Sequence, residues 1–352
     1  TAVGLVDEAF SPLDMSLPRF AFLVHPLTMN QRRFVGVRRF DFGLYSSRHG
    51  RHFDAGRICE VSMPGAAVGE IISVPWLPHE LLEDQSSAVD AMTEAVDALS
   101  GVSAVGLGSL LAVVGSRGEA LANRVNVPIT TGAAATSWAA IQNTQKVLDW
   151  TGEKSVALLG FSGTVGETVA AGLKRAGVEV TATGRGRALA RRAEEMGVGF
   201  ASIQEAVSSH KIVVGAGTTG SVVEPQWMQA NSVLVDVALP SSLKKGERPT
   251  GLLILAGEAM DLPKGWRRGF WGRIYHLLAG YGPHQIYACL AEPMVMAAHG
   301  IDVPFAQGRK LSLEKVDAFS EAAQDLGLEA RLASGWKSVE KKHFAHIQGG
   351  VG

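Results

Sequence analysis

Cysteine is scarce in this chain of 352 residues: there are two, Cys59 and Cys289. Two thiols so far apart make no disulfide framework and lack the spacing of metal ligands. Net charge is nearly absent too, at a formal −1. That leaves no bulk field to argue for nucleic acid as a partner. No apolar run matches the ~20 residues a bilayer-spanning helix needs. The longest, VSAVGLGSLLAVVG from Val102 to Gly115, is short and broken by glycines. The opening residues, TAVGLVDEAFSPLD, are acidic and carry no basic stretch ahead of an apolar one, so no signal peptide is read there. These absences together set a reducing, cytoplasmic location as the expectation. No internal repeat stands out.

What is present is enough apolar sequence for a sizeable core in about two domains. Residues 1–18 read as an arm. FAFLVHP then reads as a buried strand ended by Pro26, followed by a stretch rich in arginine (Arg32, Arg33, Arg38, Arg39, Arg48, Arg51 and Arg57). Glu80 to Leu99 has helical spacing, with Leu81, Val89, Met92 and Val96 among its apolar positions. VSAVGLG follows as a strand, and PITTGAAATSWAAIQNTQKVLDW as a glycine loop opening a helix that ends near Thr151-Gly152.

The next hundred residues are the most regular. SVALLG, VEVTATG, KIVVGAG, SVLVDVALP and GLLILAG are strand candidates, and helical patterns lie at Thr164–Ala176 and Arg187–Met196. Strands alternating with helices argue for a parallel sheet covered on both faces. The expected fold is therefore α/β: a Rossmann-like, doubly wound parallel sheet (136–258) inserted into a second α/β substrate domain (19–135 and 259–352).

The junction LLGFSGTVGETVA places Gly160, Gly163 and Gly166 between a strand and an amphipathic helix. Glycines there permit a tight turn and close backbone approach to a pyrophosphate, and the helix N-terminus offers N–H groups and a positive dipole end. Ser162, Thr164 and Val165 share this loop, and Thr218 and Ala238 are further cofactor-contact candidates. An NAD site usually has an acid at the end of the second strand. Here the sequence is TATGRGRALARR, with Arg185 and Arg187 at the turn. Guanidinium groups suit a ribose 2′-phosphate, which favours NADPH as cofactor. The plainer reading of Arg187, Arg191 and Arg192 is a solvated helix face.

Cys289 sits in QIYACLAEP. Pro283 suits the first turn of a helix running through Cys289, and Pro293 has no N–H for the Cys289 carbonyl, so a kink is expected there. On that reading the thiol lies beyond the first turn, where the dipole does little for it. Glu292 is one turn further on and is free to orient a base or bind solvent. Taken alone, these residues favour a buried structural thiol.

The order of motifs adds to this. SVPWLPHELL, AVGLGSLLAVV, ITTGAAATSWAA, GFSGTVGETVA, VLVDVALP, LILAGEAMD and QIYACLAEPMV occur between about residue 20 and residue 300. In this order the chain resembles the long-chain acyl-carrier-protein reductases, which make fatty aldehydes. The resemblance implies that Cys289 accepts the acyl group from an acyl-carrier-protein or coenzyme A thioester. It implies reduction by NADPH, with Thr130, Thr131 or backbone N–H groups stabilising the oxyanion, and a partner enzyme that consumes the aldehyde. The chain departs from the family's pattern at Ala133–Ala135 and Ala256, where polar residues and a lysine are usual. Two other readings stand beside it: an NADP-dependent dehydrogenase of a small hydroxy or oxo acid with a structural Cys289, and a nucleotide-binding regulator without chemistry. His25, His276, His284 and His299 are unplaced candidates for a base. KGWRRGFWGRIYH (264–276) interleaves basic and aromatic residues, suiting a carrier-docking face, a peripheral membrane contact or an anchored surface loop.

Overall fold

The computed structural model describes residues 16–29, 31–32, 56–63, 65–218, 220–238, 240–263, 267–268, 285–335 and 337–348. The first part of the chain forms β1 (Arg19–Val24), β2 (Gly56–Met63), β3 (Ala67–Ser73), α1 (Pro78–Glu83), α2 (Gln85–Asp97), β4 (Val102–Leu107) and β5 (Ile129–Thr130). The middle forms α3 (Ala133–Thr151), β6 (Ser155–Leu159), α4 (Thr164–Arg175), β7 (Glu179–Thr183), α5 (Arg187–Met196), β8 (Gly199–Ala201), α6 (Ile203–Ser209), β9 (Ile212–Gly215), β10 (Val233–Asp236), β11 (Leu253–Ala256) and β12 (Ala259–Asp261). The remainder forms β13 (Arg267–Arg268), β14 (Gln285–Tyr287), α7 (Ala288–His299), α8 (Leu313–Asp325), β15 (Glu329–Ala330), β16 (Ala333–Ser334) and β17 (Lys337–Ser338).

The chain divides into two compact units, one of Thr1–Ala133, Leu262–Arg309 and Glu321–Leu328, the other of Ala134–Asp261, Lys310–Ser320 and Glu329–Gly352. The first unit is built on a sheet of order β13-β2-β3-β1-β4-β5. Strands β3, β1, β4 and β5 are parallel, and β2 runs against β3. Both faces are covered, so FAFLV reads as a continuous apolar run. Ala21, Leu23, Val105 and Leu107 join Val89, Met92 and Val96 of α2 in one core. The alternate residues face α7: a methyl built on Gly106 would lie 2.5 Å from the Pro293 ring and 2.9 Å from the Phe22 ring. The single helix expected from Glu80 to Leu99 is two, because Asp84 caps the second by accepting from the Ser87 N–H at 3.1 Å.

The second unit contains the parallel order β11-β10-β9-β6-β7-β8. Read from β6, this is the 3-2-1-4-5-6 arrangement of the Rossmann fold. Val156 and Leu158 enter one core with α3 and α4, while Ala157 and Leu159 enter another with α6. The doubly wound sheet anticipated from the sequence is thus present. The expected boundary at 259–352 differs from the observed one: residues 310–320 and 329–352 belong to the nucleotide-type unit. Leu332, Val339, Phe344 and Ile347 are buried in its core, and β16 pairs with β11.

Candidate active site

In the second unit the loop after β6 carries three glycines with three different tasks. Gly160 is left-handed at φ +80, and a methyl there would lie 2.5 Å from the Gly217 backbone nitrogen. Gly163 is the N-cap of α4 and donates its N–H to the Gly160 carbonyl at 2.9 Å. Gly166 lies so close to the turn that an added methyl would be 2.1 Å from the Gly160 oxygen. The turn, the helix start and the close helix–strand packing are what a pyrophosphate cradle requires. Because the strands are parallel, Ser162, Thr164 and Val165 share one sheet edge with Thr218 after β9 and Ala238 after β10.

At the same edge, after β7, Arg185 and Arg187 are exposed on either side of Gly186, which has φ +93. Arg192 is different. Its guanidinium makes a forked pair with Glu167 of α4, so it is committed to holding two helices together. Asp236, at the end of β10, is absent from the sequence-based expectations. It accepts from the Ser241 hydroxyl at 2.6 Å, the Ser242 hydroxyl and N–H at 2.8 Å each, and the Ala238 N–H at 3.3 Å. Burial nevertheless raises its pKa against those bonds. The acid fixes the loop that follows β10. Its signal in the sequence is an acid ending the apolar VLVD, with Ser241 and Ser242 shortly after.

In the first unit, Cys289 is half-buried and is the second residue of α7. The expectation of a helix begun near Pro283 is corrected: Gln285–Tyr287 is a strand, and Tyr287 caps the helix. The thiol therefore lies within the first turn, where the positive end of the dipole favours a thiolate. Gly132, at φ +72, is packed onto it, and a methyl on Gly132 would lie 2.4 Å from the Cys289 Cβ. Helix α3 starts at the next residue, Ala133.

Thr130 and Thr131 do not present their hydroxyls as oxyanion donors. Thr130 donates to the fully buried Glu292, and Thr131 lies 3.3 Å from the Ala306 carbonyl, which also accepts the Thr131 N–H at 2.9 Å. Both threonines buttress the thiol's surroundings.

His25 is not a base in this arrangement. Its Nε2 accepts the Leu110 N–H at 3.3 Å, and its Nδ1 lies 3.2 Å from the Pro26 carbonyl. That pairing requires the neutral ring protonated on Nδ1. Burial holds its pKa down at about 4, against a small upward pull from the Pro26 bond. His299 is at the far end of α7, 3.0 Å from the Ala322 carbonyl. His276, His284 and the side chains of 264–276 lie outside the described residues, as do those of the arginines from Arg33 to Arg57. Among the described residues no cluster of three or more His, Cys, Asp or Glu could hold a metal ion. No described helix is long and apolar enough to cross a membrane.

No family model matches the chain. A curated relative is the aminotransferase PigE of Serratia sp. (strain ATCC 39006), 25% identical over 360 residues. The match takes in 94% of this chain and 42% of that protein, so the chain spans less than half the length of this relative. The finding corrects the resemblance to acyl-carrier-protein reductases: the curated similarity is to a protein named as an aminotransferase. Among solved structures, shikimate 5-dehydrogenase of Thermus thermophilus, in complex with NADP(H) and shikimate, overlaps 88% of this chain and all of its own, with 13% identity and a TM-score of 0.36. A transhydrogenase of Sinorhizobium meliloti overlaps 46% of this chain and 62% of its own, with 16% identity and a TM-score of 0.32. The Rossmann assignment rests on strand order, independently of these overlaps.

Proposed function

We propose that this chain is a nicotinamide-nucleotide-dependent oxidoreductase that reduces an acyl thioester to an aldehyde through a cysteinyl acyl-enzyme. The observation that carries the proposal is the half-buried Cys289 in the first turn of α7, seated on a glycine that leaves no room for a side chain. The thiolate of Cys289 attacks the thioester carbonyl, and the C–S bond to the carrier breaks. The carrier thiol leaves, being a coenzyme A or carrier-protein thiol. A nicotinamide nucleotide held by the Gly160–Gly166 turn would supply the hydride equivalent for reduction of the acyl group. Collapse breaks the bond to Cys289 and releases aldehyde, with one proton taken up over the whole cycle.

The residues suited to the nucleotide are Gly160, Ser162, Gly163, Thr164, Val165 and Gly166 for the pyrophosphate, with Arg185 and Arg187 for a 2′-phosphate. The exposed guanidinium pair and the absence of an acid at that turn favour NADPH over NADH. An aldehyde product calls for a consuming partner, and amino transfer is the chemistry that the name of the curated relative supports.

The test is NADPH oxidation with a panel of acyl-coenzyme A thioesters, with the aldehyde trapped as an oxime. Thioester-dependent oxidation that disappears in Cys289→Ser is the expected result. Oxidation that survives the substitution, or occurs only with a hydroxy or oxo acid, contradicts the proposal.

A further inference from the structure

Three contacts run down one face of α7. Cys289, Glu292 and Pro293 stand at i, i+3 and i+4, the positions that share a helix face. Cys289 meets Gly132, and Pro293 meets Gly106. Glu292 accepts from the Thr130 hydroxyl. Gly106 of β4 is paired with Thr130 of β5. The helix therefore runs against the direction of these strands, with its N-terminus and Cys289 at their carboxyl ends.

Glu292 is the unexpected member of this row. Its relative exposure is 0%. A carboxylate is almost never so buried unless paired, because desolvation is costly and an apolar residue would pack there without it. The Thr130 hydroxyl also lies 3.1 Å from the Ala306 carbonyl, and its contact with the Glu292 carboxyl is the closer of the two.

We infer that Glu292 is a positioning residue for the Cys289 site: through Thr130 it fixes the register of the first turn of α7 against β5, and so the distance from the thiol to the Gly132 backbone. This rests on the reading of Cys289 as the nucleophile. The seats at Gly106 and Gly132 are close contacts of shape. The Glu292–Thr130 bond adds a directional contact between them, and a misplacement of about 1 Å at a reacting centre costs about 100-fold in rate.

The experiment compares Thr130→Val, Thr130→Ser, Glu292→Gln and the parent chain. Two rates are read at Cys289 by peptide mass: acylation by an acyl-coenzyme A, and alkylation by iodoacetamide. Acylation needs the thiol aligned with an oxyanion site, whereas alkylation needs only a reachable thiol. The account expects acylation of folded Thr130→Val to fall about 100-fold, with alkylation within about threefold of the parent. Thr130→Ser restores acylation, and Glu292→Gln, which puts a weaker acceptor opposite the hydroxyl, lowers acylation by less than Thr130→Val and leaves alkylation near the parent. Equal acylation in Thr130→Val and parent overturns the inference. So does a parallel fall of both rates with melting temperature, which marks a purely structural bond. Absence of any acyl adduct in the parent is a separate result, and removes the nucleophile reading on which the inference stands.

Discussion

Gly132 and Cys289 occupy a contact with no space for a methyl group: one built on Gly132 would lie 2.4 Å from the Cys289 Cβ and 2.6 Å from its Cα. Gly132 also has φ +72, where a side chain is strained. Gly132→Ala should therefore cost about 1–3 kcal/mol of stability through strain and overpacking. It should also displace the first turn of α7 and suppress thiol acylation. Urea unfolding and intact mass check the two effects, and an unchanged variant would show that the contact is slack.

His25 sets a pH dependence whose sign can be worked out. Its folded pKa is about 4, below the 6.5 of the free side chain. The unfolded chain thus binds the proton more readily, and stability from this site is fully present above about pH 6.5 and lost as pH falls toward 4. The lowered pKa corresponds to about 3 kcal/mol at most. Denaturant unfolding from pH 7 to pH 4 should show this slope in the parent chain and a flatter one in His25→Gln. Equal slopes would contradict the buried neutral ring.

Gly166→Ala should abolish nucleotide binding with the fold retained. The added methyl would lie 2.1 Å from the Gly160 carbonyl, so the phosphate turn and α4 must separate. Fluorescence titration with NADPH reads the loss, and circular dichroism checks the fold. Tight NADPH binding by the variant would mean that the turn is not the cradle.

Arg185→Ala with Arg187→Ala should weaken NADPH binding by about tenfold or more while leaving NADH unchanged, since a charge-assisted bond to a phosphate contributes about 1.5–3 kcal/mol. Arg192→Ala should act differently. Its forked bond to Glu167 joins α4 and α5, so its loss lowers stability and leaves the ratio of the two nucleotides unchanged. Equal weakening of NADH and NADPH in the Arg185/Arg187 pair would remove the 2′-phosphate assignment.

The nucleotide-type unit is legible in the sequence because its signals are local. The strand–glycine–helix junction at Gly160–Gly166 and the alternation of short apolar runs each lie within a few residues of one another. The surroundings of Cys289 are not. Gly132 meets Cys289, and Thr130 meets Glu292 and Ala306, only through tertiary contact, and Gln285–Tyr287 is too short a strand to show a period, so sequence spacing starts the helix too early. That misplaced start reverses the electrostatic reading of the thiol. His25 passes for a base until the Leu110 N–H is found on its ring. The segment after Lys310 returns to the nucleotide-type unit through Leu332 and Phe344, whose destination no sequence pattern encodes.

The measurement that bears most directly on the account is intact mass of the full chain after incubation with an acyl-coenzyme A panel without NADPH, alongside Cys289→Ala. The account predicts one acyl increment in the parent, none in the variant, and its discharge as aldehyde when NADPH is added. NADPH binding with no adduct across coenzyme A and carrier-protein thioesters would contradict it and return Cys289 to a structural role.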